Sequence, residues 1–529
     1  MTGQLDGRSD ADAFRREATP NDGPRIRWLN LRMRQDLPFV DRARLWPDRI
    51  ALADDKGTYT FADLLSSSER GAARLLSGRE DLREARVAFM VEPSYRYVVA
   101  QWSIWRAGGV AVPLCLTHPA PELEYVLDTT TPEVVVCSSR YADILSPLAE
   151  ARGIPHLHAD DLDGEPTPLP IVAPARRSMI LFTSGTTGRP KGVVSTHGNI
   201  EAQITSLVEA WEWTADDRIL LTLPLHHIHG IVNVIGCALW SGARCDMLTA
   251  FEAPTVADRL TGGELTLYMA VPTIYHRLIA HLDQTHEEER KRFEAGASRL
   301  RLMVSGSAAL PIPVLERWRE LAGHTLLERY GMTEIGMGLS NSYQGERFPG
   351  SVGTPLPRVE ARLVDESDRP LPDGEPGEIQ IRGPAVFLEY WERPDDTKAA
   401  FTEDGWFRTG DTAVIEHGRY RILGRSSVDI LKTGSEKVSA LEIEEVLLGH
   451  DAVSEVAVVG IDDEEWGQRV VAMVVAGRPV EPEDLRKWVK DRLAPHKVPK
   501  DFHFTSTLPR NALGKTLKRE VVQLVAERE

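Results

Sequence analysis

Short apolar runs at 86–91, 109–114, 133–137, 218–223, 265–271 and 300–304 recur along the chain. Between them lie longer stretches whose apolar positions repeat at helical spacing, as at 61–77 and 311–322. Brief apolar runs bounded by turn formers read as buried strands, and the longer repeats as amphipathic helices. This alternation predicts α/β layers around largely parallel sheets from about residue 30 to 340. From about 350 to 424 the strands become shorter and turn-rich, at 360–364, 378–382 and 420–423, which predicts a smaller β-rich subdomain. The pattern changes again after Gly424-Arg425. Ser439 followed by Glu442 predicts a capping box opening a helix to about residue 448. Strands near 455–459 and 470–475 and a helix at 482–493 follow. The charged cluster at 287–292 reads as a solvated helix face.

At 529 residues the chain is too long for one core, so two or more domains are expected. Apolar residues are 42% and charged residues 27%, the balance of a soluble globular protein. The net charge of −17 argues against a general nucleic-acid or anionic-membrane binder, while leaving room for a local basic phosphate site. No apolar stretch approaches a bilayer span; the longest, near 98–116, contains Gln101 and Arg106. Asp6, Asp10, Asp12 and Glu17 precede any apolar region, so neither a secretory signal nor a mitochondrial leader is expected, and the expected compartment is cytoplasmic. Cys115, Cys137, Cys237 and Cys245 are few and widely spaced, which fits free thiols better than disulfides or a zinc site.

Four motifs carry chemistry. Residues 183–192 read Thr-Ser-Gly-Thr-Thr-Gly-Arg-Pro-Lys-Gly after the apolar Met179-Ile180-Leu181-Phe182. Glycine lets backbone N–H groups converge on an anion, the hydroxyls add donors, and Lys191 adds charge. The run is a phosphate-gripping loop that differs from the nucleotide-triphosphatase type, because Gly192 stands where that loop has Ser or Thr. Residues 328–334 read Glu-Arg-Tyr-Gly-Met-Thr-Glu. There Tyr330 can stack on a flat ring, Thr333 can donate to a phosphoryl oxygen, and Glu334 suits a magnesium ion held mainly by phosphates. Arg-Thr-Gly-Asp at 408–411 puts a carboxylate on a tight turn, where it can accept from a ribose diol. Pro-Arg-Asn-Ala-Leu-Gly-Lys at 509–515 presents Lys515 on a turn. Each has an ordinary structural reading alone; their joint order and separation do not.

Together with Leu223-Pro224-Leu225-His226-His227-Ile228-His229-Gly230, Gly377-Glu378-Ile379, Tyr390-Trp391, Asp404-Gly405-Trp406 and Gly424-Arg425, these motifs resemble the adenylate-forming superfamily of acyl-CoA synthetases, adenylation domains and luciferases over roughly residues 40–525. The resemblance implies an α/β fold. A large N-terminal domain (30–424) would hold two α/β sheet subdomains and a β-barrel subdomain, followed by a hinge (425–428) and a small mobile α+β domain (429–529). It also implies ATP, Mg²⁺ and coenzyme A as reactants, with a carboxylate first adenylated and then passed to a thiol. Carried over by position, Thr183, Ser184, Gly185, Thr186, Thr187, Gly188 and Lys191 hold the β- and γ-phosphates. Ser307, Ala308 and Ala309 line the adenine, with Tyr330, Gly331 and Met332 beside it. Thr333 contacts the α-phosphate, Glu334 binds Mg²⁺, and Asp411 and Arg425 hold the ribose. Lys515 serves adenylation, His227 stands between acyl pocket and thiol path, and Gly434 and Ser435 border the pantetheine tunnel.

The strings 269–273, 305–311 and 327–330 narrow the resemblance to malonyl-CoA and methylmalonyl-CoA synthetases. Most of the superfamily has a small or apolar residue where this chain has Arg329. A guanidinium grips a carboxylate bidentately, so Arg329, assisted by His229 and Ser307, is the expected holder of a second substrate carboxylate. Two departures stand out: Ser427 at the hinge, where relatives carry Asp or Lys, and Ser435 at a usual glycine. Competing expectations are a ligase for another short or medium-chain acid, adenylation on behalf of a carrier protein, and a nucleotide-binding interaction protein. The sequence leaves oligomeric state and the choice of acid open.

Overall fold

Parallel strands form where the short apolar runs lie, because only residues apolar on both faces survive between two helix layers. A computed structural model describes residues 36–183, 190–425, 428–433, 436–463, 467–510 and 514–528. In the first sheet Arg86–Met90 lies between Val110–Pro113 and Val134–Cys137, and Arg177–Thr183 extends the parallel set beyond Val110–Pro113. Lys191–Thr196 then pairs antiparallel with Arg177–Thr183, and Glu389–Tyr390 pairs antiparallel with Lys191–Thr196. A second sheet has Arg218–Leu221, Arg244–Met247, Leu267–Ala270, Leu302–Ser305 and Leu327–Met332 in parallel, with Gly336–Ser340 antiparallel at one side.

The helix Phe61–Leu76 shows why sequence sets the boundaries. Thr60 caps it through the Asp63 N–H, Asp63 returns the bond to the Thr60 N–H, and Ser77 leaves it in a left-handed conformation. Its buried face, including Phe61, Leu64 and Leu75, belongs to a core shared by both sheets.

The β-rich region is a four-stranded antiparallel sheet of Glu360–Val364, Gly377–Arg382, Phe407–Glu416 and Arg419–Arg425. Beyond it, Ile430–Thr433, Glu436–Ser439, Val453–Asp463, Gly467–Ala476 and Asp501–Phe504 form one more sheet with its own core of Ile443, Val458, Ala472 and Leu485. The architecture is thus mixed α/β with a large N-terminal and a small C-terminal part. No helix among the described residues is long and apolar enough to cross a membrane. Cys115, Cys137, Cys237 and Cys245 are free and buried.

Two local expectations change. Ser439 caps the helix Ala440–Leu448 by accepting from the Glu442 N–H at 3.2 Å, but the reciprocal half of the box is missing. The Glu442 carboxylate instead takes Lys497 at 2.6 Å, a stronger partner than a backbone N–H. The run 432–438 is a hairpin, Ile430–Thr433 against Glu436–Ser439, and its tip at Gly434 and Ser435 lies outside the described residues.

Candidate active site

Strand Leu302–Ser305 ends in Gly306, and strand Leu327–Met332 runs beside it with Glu328 opposite Ser305. Strand alternation sends Glu328 and Arg329 to opposite faces. Glu328 accepts from the Gly350 N–H at 3.0 Å, and burial pushes its carboxyl up to about 8. It does not pair with Arg329. The Arg329 guanidinium lies flat on Gly306, where a Cβ would come within 2.5 Å of Arg329 Cζ. Any side chain at 306 displaces the guanidinium.

Arg329 is 4% exposed. Its Nη2 reaches Ser307 Oγ at 3.4 Å, while Nε and Nη1 have no hydrogen-bond partner among the described residues. Burial pulls its pKa down to about 9. Ser307 Oγ also lies 3.2 Å from His229 Nδ1, and the buried His229 Nε2 is unpartnered. Burial first, then the Arg329 charge, hold His229 well below the ordinary imidazole range, so it is neutral. Ser307 adopts φ 70°, a left-handed conformation that costs a non-glycine residue and concentrates at functional sites. His229 opens a π-helical stretch, His229–Gly236, which aims it across at Ser307. Of the three residues expected at the adenine, Ser307 reaches Arg329 and His229, and all three, Ser307, Ala308 and Ala309, are exposed.

The cluster that begins one residue along the strand, at Tyr330, is differently built. Asp411 faces Arg425 across adjacent strands, Oδ1 to Nη1 3.3 Å. Tyr330 donates its hydroxyl to Asp411 Oδ2 at 2.6 Å. Arg425 Nη2 donates to the Thr409 carbonyl at 3.1 Å. Glu334 is buried just past Thr333, in the turn joining Leu327–Met332 to Gly336–Ser340. That turn needs Gly331, whose Cβ would stand 2.1 Å from the Gly336 carbonyl oxygen. Tyr390 donates to Glu334 Oε1 at 3.0 Å, and burial raises the Glu334 carboxyl despite Tyr390 and Arg425. Lys191 leads its strand, with Nζ 2.8 Å from Asp396 Oδ1 and 4.9 Å from the centre of the Tyr390 ring.

Tyr390 therefore bridges Lys191 and Glu334. In the sequence it is only part of a Tyr-Trp dipeptide; its role depends on Glu389–Tyr390 pairing with Lys191–Thr196, a contact across some two hundred positions.

The remaining residues divide. Lys515 lies close enough to Asp411 for its charge to favour the ionised carboxylate, and a Cβ on Gly514 would meet Thr273 Oγ1 at 3.5 Å. The Lys515 turn thus lies against the helix Pro272–Asp283 of the large N-terminal part. His227 packs against His226 with ring centres 4.0 Å apart and the rings tilted by 50°, and burial lowers it to about 4. Thr183 ends its strand opposite Lys191. Met332 packs with Tyr330 against the β-rich core. Ser184, Gly185, Thr186, Thr187, Gly188 and Ser427, like Gly434 and Ser435, lie outside the described residues. The flanking strands Arg177–Thr183 and Lys191–Thr196 pair antiparallel, so a strand and not a helix N-terminus follows this motif, unlike in nucleotide-triphosphatase loops.

The model of the AMP-binding enzyme family matches residues 39–391, and that of the AMP-binding enzyme C-terminal domain matches 442–515. The chain belongs to the AMP-binding enzyme family. It is 46% identical to the mitochondrial malonate–CoA ligase ACSF3 of Mus musculus, covering 92% of this chain and 90% of that protein. Its fold matches ATP-bound MatB from Rhodopseudomonas palustris at TM-score 0.85 and 33% identity, over 93% of this chain and 99% of the other. A malonyl-CoA ligase solved as a ternary product complex with methylmalonyl-CoA and AMP matches at TM-score 0.66 and 37% identity, over 88% and 97%.

Proposed function

We propose that this AMP-forming acyl-CoA synthetase activates malonate or methylmalonate as an acyl-adenylate and transfers the acyl group to coenzyme A, releasing pyrophosphate and AMP. The observation that carries the choice of acid is Arg329, a buried guanidinium with two unpartnered nitrogens beside Ser307 and neutral His229. A buried unpaired cation is costly unless something completes it. A substrate's second carboxylate does so, with charge-assisted bonds worth about 1.5–3 kcal/mol each.

The residues then take these parts. Lys191 leaves Asp396 for the triphosphate, and Tyr390 keeps it near Glu334. Asp411 and Arg425 hold the ribose hydroxyls, and Thr333 donates to the α-phosphate. Lys515 approaches the α-phosphate and the attacking carboxylate oxygen, which fixes geometry and offsets charge in the displacement. Glu334 fits a magnesium ion. It is a buried carboxylate with one hydrogen-bond donor, and no cluster of three or more ligand-type side chains stands among the described residues, as suits an ion held mainly by phosphates. When bound, that ion neutralises phosphate charge. After adenylation the small domain is proposed to turn about 425–428, opening a thiol path past His227 and the hairpin carrying Gly434 and Ser435. The closer superposition on the ATP-bound relative than on the product complex supports an adenylating arrangement here. Four buried free thiols fit a reducing compartment, and the cytoplasm is the one proposed.

The test is pyrophosphate release with ATP and Mg²⁺ over malonate, methylmalonate, acetate and butyrate, with and without coenzyme A. Dicarboxylate-selective release with an acyl-CoA product is expected. Equal turnover of butyrate, or no thioester with coenzyme A, defeats the reading and points to another acid or a carrier protein.

A further inference from the structure

A buried ion cluster stands beside Arg425, formed by residues that the proposed chemistry does not use. Lys518 opens the helix Lys518–Ala526, three positions after Lys515. Its Nζ lies 2.6 Å from Asp429 Oδ1 and 2.7 Å from Glu444 Oε1, and all three side chains are largely buried. Burial opposes the Lys518 charge, but the two carboxylates outweigh it and raise its pKa. Asp429 is committed on its other side. Its Oδ2 accepts from the Arg425 N–H at 3.0 Å, and its own N–H donates to the Arg425 carbonyl at 2.7 Å. One carboxylate therefore joins the residue that faces Asp411 to the root of the turn that carries Lys515.

Other contacts shape the turn itself, and Gly514 lies beside Thr273. Arg510 bonds the Gly514 carbonyl at 2.5 Å and pairs with Glu455 at 2.8 Å, and Leu517 N–H bonds the Pro509 carbonyl at 2.9 Å. Those contacts shape the turn within the small domain. Among the described contacts, Asp429–Lys518 is the ion pair that refers it to the hinge. We infer that Lys518 is a positioning residue for Lys515, holding the adenylating turn at the hinge through Asp429. The inference rests on the reading of Lys515 given above. Two further bonds on the same segment fit it: the Ala440 N–H donates to the Asp429 carbonyl at 2.7 Å, and the Ser439 hydroxyl donates to the Leu423 carbonyl at 2.5 Å. The hinge turn is thus braced from both sides while Lys518 fixes the lysine-bearing turn to it.

The test uses the full chain and measures each half-reaction alone: malonate-dependent ATP–pyrophosphate exchange, and thioester formation from supplied acyl-adenylate. Asp429→Asn keeps an oxygen for the Arg425 N–H but turns an amide toward Lys518. It is expected to lower the exchange kcat about tenfold, leaving the ATP KM and the thioester step within about threefold. Lys518→Arg, which keeps the cation, is expected to retain most of the rate. In a Lys515→Ala background, Asp429→Asn is expected to cost less than about twofold more, because the tether acts through the missing lysine. Equal loss in both half-reactions, or full additivity with Lys515→Ala, makes the cluster purely structural and overturns the inference. Intact exchange in Lys515→Ala alone overturns the reading of Lys515 itself, which is a separate result. These conservative variants replace Lys518→Met, which strands two buried carboxylates.

Discussion

The residues proposed for the nucleotide end and those proposed for the acyl end solve burial of charge in opposite ways. At the nucleotide end every ionisable group already has company: Asp411 with Arg425 and Tyr330, Glu334 with Tyr390, Lys191 with Asp396. At the acyl end Arg329 and His229 share one serine hydroxyl and leave three nitrogens unpartnered. A paired network is stable without ligand and must exchange partners when ligand comes, which suits a cosubstrate used by the whole family. An unpartnered buried cation destabilises the empty protein and rewards one kind of ligand, which suits selection.

The sharpest way to break the contrast is Arg329→Met, which fills the same space without charge. With malonate, kcat/KM should fall about 10³–10⁴-fold, because the second carboxylate is then buried unpaired. Butyrate should lose little or gain. Parallel losses for both acids in steady-state assays would show that Arg329 does not meet substrate.

At the opposite end, Glu334→Gln should slow adenylation about 10²–10³-fold for every acid alike. Extra Mg²⁺ should recover only part of it, and chelation should silence the wild type. A Glu334→Gln enzyme with wild-type pyrophosphate release at limiting Mg²⁺ would remove the metal assignment. Tyr390→Phe deletes only the hydroxyl on Glu334 and should cost about three- to tenfold, read as a rise in the Mg²⁺ needed for half-maximal rate. An unchanged Mg²⁺ curve would leave Tyr390 as packing alone.

The same contrast explains what the sequence discloses. Strands such as Arg86–Met90 and Leu302–Ser305 are legible because apolar runs are local, and Arg329 only through the resemblance, because most of the superfamily has a small or apolar residue at that place. The partners of charged groups are not legible. Glu442 turned to Lys497 instead of closing its capping box, since a cation fifty-five positions away outbids a backbone N–H. Tyr390, Asp396 and Lys518 gain their meaning from pairings that only the packed sheets and the hinge create. Ser307 stands beside Arg329 and His229 as the sequence led one to expect, but its left-handed backbone is announced by no residue pattern.

A pH profile separates the ends without mutation. Arg329 is cationic below its lowered pKa of about 9 and neutral above it. Malonate kcat/KM should therefore fall as pH rises through about 9, up to tenfold per unit, while butyrate kcat/KM bends less there. Superimposable profiles for the two acids would show that the guanidinium does not titrate in contact with substrate.

The smallest effect is on stability, and its sign is the informative part. The folded Arg329 pKa of about 9 lies well below the ordinary arginine value, so the fold disfavours the charged form. That destabilisation is fully present below about pH 9 and is relieved as pH climbs from there toward the ordinary arginine value. At neutral pH, Arg329→Met should therefore stabilise the ligand-free protein by about 1–2 kcal/mol, while the same change abolishes malonate selectivity. Denaturant titration of both proteins at pH 7 reads the difference, and repeating it near pH 10 should shrink the gap. A variant less stable than wild type at pH 7 would mean that the guanidinium is already satisfied in the empty protein. The acyl end would then be built like the nucleotide end, with its selectivity lying in shape and not in an unmet charge.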